Sequence, residues 1–247
     1  FDSWTRARWA VEGGIDAVFA LPVLYALQSA DHFAAFGIKL LAAMGAEVIS
    51  FGTESLDEDA LWEAASFSLT HTYQKAFHRA LKEGFSYARA SYEAMKSHSP
   101  FLADELSKPN NLLGFRYTET ILRNHFPMEI YVVHRDMNHN ISASEARKDL
   151  LLQSSGSLLP SRSAGEAESL IKSGHFSDFS RFEDACLLHA RLLSEKELSE
   201  TGLFTEGLDH KWFKEMGNPD YETMLSAIKS KRYLYSRLKR LGAQLLL

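Results

Sequence analysis

Three clusters of residue types in this chain could do chemistry. The first is Asn140 to Leu152, read Asn-Ile-Ser-Ala-Ser-Glu-Ala-Arg-Lys-Asp-Leu-Leu-Leu, which has the form of a helix start. Ser142 and Ser144 are good N-cap residues, Glu145 suits a first turn, and Ala146, Leu150 and Leu151 supply an apolar stripe. A helix N-terminus presents unpaired N–H groups and partial positive charge, so it attracts anions, and Arg147 could add a two-pronged grip. The same residues also describe an ordinary capped surface helix. The second cluster is Gly52-Thr53-Glu54 after an apolar run, together with Asn110-Asn111 at the start of another helix. Here Asn110 or Asn111 is expected to cap the helix and leave side-chain amides available. The third is Ile228 to Leu241, where Lys229, Lys231, Arg232, Arg237, Lys239 and Arg240 surround Tyr233 and Tyr235. Cations interleaved with aromatics suit a phosphate backbone with unpaired bases; they equally suit a solvated helix face over a core of tyrosine and leucine.

Several other chemistries find no support. The ten histidines invite a metal, but the best group, His134, Asp136 and His139, fits no standard zinc or iron spacing, and no metal site is assigned. There is no Gly-x-Ser-x-Gly elbow, phosphate loop or dinucleotide fingerprint. The net charge of −5 means that any nucleic-acid surface must be local. The single cysteine, Cys186, excludes a disulfide framework, reads as a small buried apolar residue and fits a reducing cytoplasm. No apolar run approaches membrane-spanning length and no signal peptide opens the chain, so a cytoplasmic protein with no membrane partner is expected. Oligomeric state is not legible.

The elements that must position these residues form a pattern. Helices are expected at Trp4 to Glu12 and Ser29 to Met44, with buried strands at Asp16 to Leu21, Glu47 to Phe51 and Met128 to His134. Helical segments fill Ser55 to His98 with a break near Gly84, then Phe101 to Leu106, then a helix through Asn124. Strand and helix in alternation predict an α/β fold, a doubly wound parallel sheet with ligands at the strands' carboxyl ends, where Gly52 falls. Residues 1–152 are expected to be the α/β domain with its ligand site at the strand ends, 153–165 a Ser/Gly/Pro-rich linker, and 166–247 an all-helical domain.

The chain resembles the bacterial tRNA(Met) cytidine acetate ligase family. Asn140-Ile-Ser-Ala-Ser-Glu-Ala-Arg147 is similar to the Ile-Ser-Ser-Thr-x-x-Arg signature of HIGH-superfamily nucleotidyltransferases, with Ala143 and Ala146 as departures. Further matching stretches run in family order: Trp4-Thr-Arg, Gly14-Ile-Asp-Ala-Val, Leu21-Pro22, Gln28-Ser-Ala-Asp-His-Phe-Ala34, Phe51-Gly-Thr-Glu54, Lys108-Pro-Asn-Asn-Leu-Leu-Gly114, Glu206-Gly-Leu208 and Ile228-Lys-Ser-Lys-Arg-Tyr233 with Ser236-Arg237. The resemblance implies a Rossmann-like domain of the HIGH type, followed by a helical tRNA-binding domain. It implies activation of acetate by ATP, with Mg2+, to acetyl-adenylate, and transfer to the exocyclic amine of the wobble cytidine of elongator tRNA(Met). By motif, Gly52, Asn110 and Arg135, with Asn111 as near alternative, would contact ATP. Ser142, Ser144 and Arg147 would hold its phosphates, and Lys229, Lys231, Arg232, Arg237, Lys239 and Arg240 would face tRNA. The family's His-x-Gly-His motif is not among these residues, so a segment upstream of Phe1 is expected to carry it and the catalytic residues stay unassigned. A small-molecule adenylyltransferase of the same superfamily and a non-catalytic RNA-binding module are the alternatives.

Overall fold

The structure, a computed structural model, describes residues 1–134, 143–153, 159–205, 207–230 and 233–247, with the backbone alone at 143, 144, 153 and 161. The described elements open with α1 (Ser3–Glu12). Then come α2 (Val23–Ala26), α3 (Ala30–Ala43), β1 (Val48–Thr53), α4 (Glu58–Ser68), α5 (His71–Lys82), α6 (Tyr87–Lys96), α7 (Pro100–Glu105), α8 (Pro109–Asn124) and β2 (Glu129–His134). After them lie α9 (Ala143–Gln153), α10 (Ser161–Lys172), α11 (Phe179–Leu192), α12 (Glu195–Glu200), α13 (Leu208–Glu215), α14 (Tyr221–Ile228) and α15 (Tyr235–Leu245). Most helices begin where a short polar side chain can take a first-turn N–H. Asp57, Thr70, Ser86 and Ser99 do so for α4 to α7, and Asp178, Ser194 and Asp220 for α11, α12 and α14.

Contacts gather the chain into two compact units, one of Val23–Asn138 and one of Phe1–Pro22 with His139–Leu247. This division differs from the expected boundary at residue 152, and α10 begins inside the stretch read as linker. The reason is visible in α1. Arg8 Nη2 pairs with Glu166 Oε1 at 2.5 Å, and Trp9 Nε1 donates to Glu166 Oε2 at 2.7 Å, tying α1 to α10.

In the Val23–Asn138 unit the sheet is two parallel strands, with Val48 opposite Glu129 and Thr53 opposite His134. One face, carrying Ile49 and Ile130, joins a core with Ile38, Leu61, Phe115 and Ile121 from α3, α4 and α8. The helix α8 approaches β1 so closely at Gly114 that a Cβ there would lie 2.5 Å from the Phe51 ring. The opposite face leaves Val48, Tyr131 and Val133 exposed. A full Rossmann sheet is therefore not present among the described residues, and the strand expected at Asp16 to Leu21 is not one. An apolar run becomes a strand only when neighbouring backbone groups complete its ladder. No described strand pairs with this run, and Val18 and Phe19 are exposed. Beside the sheet, the buried Arg116 guanidinium is held by Asp31 at 2.6 Å and Glu119 at 2.8 Å, which fixes α3 against α8.

The other unit packs α11 to α15 around Trp212, Leu208, Met224, Leu225 and Leu238. Cys186 lies in this core, fully buried, and burial pushes its thiol up to about 11. No described helix is long and apolar enough to cross a membrane.

Candidate functional site

At the carboxyl end of β1 the backbone itself is the first feature. Glu129 N–H donates to Glu47 C=O at 2.8 Å. A parallel ladder alternates, so the N–H and C=O of residues 49, 51 and 53 of β1 face β2, while those of Val48, Ser50 and Gly52 face the strand's other edge. Gly52 is exposed and has no side chain to shield it, so its backbone groups are open to a ligand. On the far edge of β2, the outward N–H of Val132 is taken by the Glu58 carboxylate at 2.7 Å.

The second feature is how α8 begins. Pro109 occupies its first turn, and Lys108, at the N-cap position, makes no side-chain cap. The cap comes instead from Glu54, just past the end of β1. Its carboxylate accepts from Asn110 N–H at 3.2 Å, Asn111 N–H at 2.8 Å and Asn110 Nδ2 at 2.7 Å. Partial burial works to raise the Glu54 pKa, but the hydrogen bonds from Asn111 and Asn110 outweigh it and hold the carboxyl below its ordinary value. This corrects the expectation that Asn110 or Asn111 caps the helix, since both donate to a distant cap. The helix end is thus already satisfied by a carboxylate, and a phosphate there would meet like charge.

The two asparagines have different fates. Asn111 is fully buried. Its Oδ1 accepts from the N–H groups of Glu54 at 3.0 Å and Ser55 at 3.3 Å, and its Nδ2 donates to Ser55 Oγ at 3.0 Å and Glu105 C=O at 3.1 Å. Its polar capacity is spent inside the protein, as a brace between β1, α7 and α8. Asn110 is half-buried, and no described residue partners its Oδ1. Beside them, Thr53 Oγ1 donates to Leu56 C=O at 2.8 Å and lies 3.3 Å from His134 Nδ1.

Of the expected phosphate-site residues, Arg135 and Ser142 lie outside the described residues, as do Asp136 and His139. Ser144 falls within α9 rather than before it, because the helix already includes Ala143. Arg147 is exposed, Leu150 is buried, and Leu151 and Leu152 are exposed, so the stripe is narrower than its composition suggested.

The cationic tail divides. Lys231 and Arg232 lie outside the described residues, and Lys229 is exposed. Lys239 sits 3.7 Å from Glu183 and 3.8 Å from Glu222, with Phe179 and Tyr235 rings near its ammonium. Arg237 Nη2 donates to Thr205 Oγ1 at 2.8 Å, and Arg240 is half-buried, its pKa lowered by burial and by Arg237. Tyr233 is buried in the core and the Tyr235 hydroxyl donates to Glu222, so neither ring is presented as an open stacking platform. Glu54, Glu58 and Glu105 went unrecognised as working residues. Glu54 stood within the quoted Phe51-Gly-Thr-Glu54 stretch, but a carboxylate that caps a helix more than fifty residues away leaves no local signal.

The carboxyl end of a parallel strand, where Gly52 lies, is where open α/β sheets take their ligands. A sequence model of the HIGH Nucleotidyl Transferase family matches residues 1–247, and the chain belongs to that family. Within it, the chain is similar to the tRNA(Met) cytidine acetate ligase of Bacillus subtilis (strain 168), 31% identical over 264 residues that cover 98% of this chain and 63% of that protein. It is 30% identical to the tRNA(Met) cytidine acetate ligase of Geobacillus sp. (strain WCH70), over 98% of this chain and 65% of that one. The crystal structure of Thermotoga maritima TmcAL bound with alpha-thio ATP superposes with a TM-score of 0.90 at 27% identity, covering 99% of this chain and 63% of that one. The chain thus spans just under two thirds of the length of these relatives.

Proposed function

We propose that this chain is the ATP-binding and RNA-facing portion of an enzyme that activates acetate with ATP and acetylates the wobble cytidine of elongator tRNA(Met). The observation that carries this reading is the similarity over 98% of the chain to ligases of that activity, joined to its likeness to a relative that holds an ATP analogue. Gly52 and Asn110 are the proposed nucleoside contacts, with Arg135 beside them by resemblance. Ser142, Ser144 and Arg147 are the proposed phosphate contacts, and Asn111 acts as a support. Acetate oxygen attacks the α-phosphorus and pyrophosphate leaves; the cytidine amine then attacks the acyl carbon, AMP leaves, and the amine loses a proton. Donors at a helix start and an arginine stabilise the charge that gathers on pyrophosphate without a protein nucleophile. Mg2+, which the resemblance implies, would arrive on the nucleotide's phosphates.

The second reading, a small-molecule adenylyltransferase of the same family, draws support from the tail, where Lys239 and Tyr233 serve packing. Truncating the tail cannot separate the two, because Leu238, Leu241 and Leu245 are core. The test uses protein expressed from its complete gene with ATP, acetate and elongator tRNA(Met). Acetate-dependent pyrophosphate release and acetylated tRNA are expected. Release that needs neither acetate nor tRNA would favour the second reading, and no release on adding ATP and acetate would remove the first.

A further inference from the structure

We infer that Glu54 is a positioning residue that turns the Asn110 amide, so that Asn110 reads a hydrogen-bond donor on the nucleoside half of the nucleotide and not its phosphates. The inference rests on the ATP reading above and extends it to how the nucleotide is told apart from its analogues.

The argument begins with what a carboxylate can do. Ionised Glu54 only accepts, so the Asn110 atom 2.7 Å from it must be the Nδ2 amine, and the amide orientation follows from chemistry alone. Two further bonds, from the N–H groups of Asn110 and Asn111, fix the carboxylate, so the amide is held by an anchored partner. Asn111 anchors the other side by accepting the N–H groups of Glu54 and Ser55. Turning the Asn110 amide over would set its carbonyl oxygen against a carboxylate, which is repulsive. What Asn110 has left is an acceptor, Oδ1, unpartnered among the described residues.

An acceptor next to a carboxylate is a poor place for phosphate and a good one for an N–H or O–H. ATP has two such sources away from its phosphates, the 6-amino group of adenine and the ribose hydroxyls. Both fit, and the analogues below separate them.

The experiment measures affinities of the wild type, Asn110→Ala and Glu54→Ala for ATP, purine riboside triphosphate (no 6-amino group), 2′-deoxy-ATP, 3′-deoxy-ATP and tripolyphosphate, by calorimetry on folded protein. Wild type is expected to prefer ATP over one analogue by about three- to tenfold, the scale of one neutral hydrogen bond. The analogue that loses affinity identifies the group read. In Asn110→Ala that preference disappears while tripolyphosphate affinity holds. In Glu54→Ala, with Asn110 still present but its amide unanchored, the preference shrinks and tripolyphosphate affinity does not fall. A wild-type preference profile in Asn110→Ala, or a matching loss of tripolyphosphate affinity, would overturn the inference while leaving the ATP reading in place. No ATP binding by wild type would instead remove the ATP reading and this inference with it. Should Glu54→Ala fail to fold, the Asn110→Ala comparison decides alone.

Discussion

Replacing Asn111 with alanine should loosen the strand-end region without touching any ligand. The side chain is fully buried. Its loss leaves the N–H groups of Glu54 and Ser55 and the C=O of Glu105 without their partner. An unsatisfied buried group costs about 1–3 kcal/mol. Ser55 is exposed and its N–H can find water, whereas the Glu54 N–H and the Glu105 C=O belong to half-buried residues and count at about 1–2 kcal/mol each, so the sum is about 2–4 kcal/mol. At 1.4 kcal/mol per decade, amide hydrogen exchange in β1 and the first turns of α8 should speed up about 30- to 1000-fold if opening is local. Exchange in the core helices α11 and α14 should stay as it was, because they belong to the other compact unit. Asn111→Asp should not rescue the protein. It keeps the acceptors but sets a carboxylate beside Glu105, whose Oε2 now lies 3.2 Å from Nδ2. A change below about threefold in β1 and α8 would refute the bracing role, and Asn111 would return as a candidate ligand contact.

The other predictions concern charge. Glu54 is depressed below 4.5 in the folded protein, so its contribution to stability is present above that value and lost as pH falls through the lowered one. Chemical denaturation from pH 5 down to pH 3 should lose less stability in Glu54→Gln than in wild type, and parallel curves would refute the linkage. Lys231→Ala with Arg232→Ala should weaken tRNA binding and reduce the slope of log affinity against log salt by about 1–2, whereas Lys239→Ala should lower stability and leave the slope alone. A slope that responds to Lys239 and not to the other pair would reverse those roles. Arg147→Ala should weaken ATP binding by about 1–3 kcal/mol as a charge-assisted contact is lost, and unchanged affinity by calorimetry would refute its phosphate role.

The helices were legible because their signals are local. Asp57, Ser86 and Asp220 each accept a first-turn N–H three residues along, and apolar spacing carries the rest. The strands β1 and β2 were legible as apolar runs between turn residues. Asp16 to Leu21 carries the same signal and is no strand, because a strand is completed by its neighbours and no run can specify them. The start of α8 was visible in Pro109, yet its cap was not, since Glu54 is brought there only by the packing of α8 on β1. The tail shows a different blindness. Composition displayed cations and tyrosines together but could not say that Tyr233 faces inward and Lys239 meets two glutamates. The compact units escaped the sequence reading because the bonds that join Arg8 and Trp9 to Glu166 span more than 150 residues.

The Glu58 carboxylate on the Val132 N–H gives the small sheet a direction of growth. An added strand must dock on a row of unsatisfied backbone groups, and a charged acceptor seated in the middle of that row both uses one donor and repels an incoming carbonyl. The outer side of β2 is thereby guarded at Val132. The outer side of β1 carries the groups of Val48, Ser50 and Gly52, with no such guard among the described residues. Among the described residues this is the edge that least opposes a third strand, and a strand joining there would run past the glycine proposed to meet the nucleotide. Enlargement of the sheet and access to that glycine are therefore two uses of one edge, and the length of an added strand would set how much of Gly52 stays open.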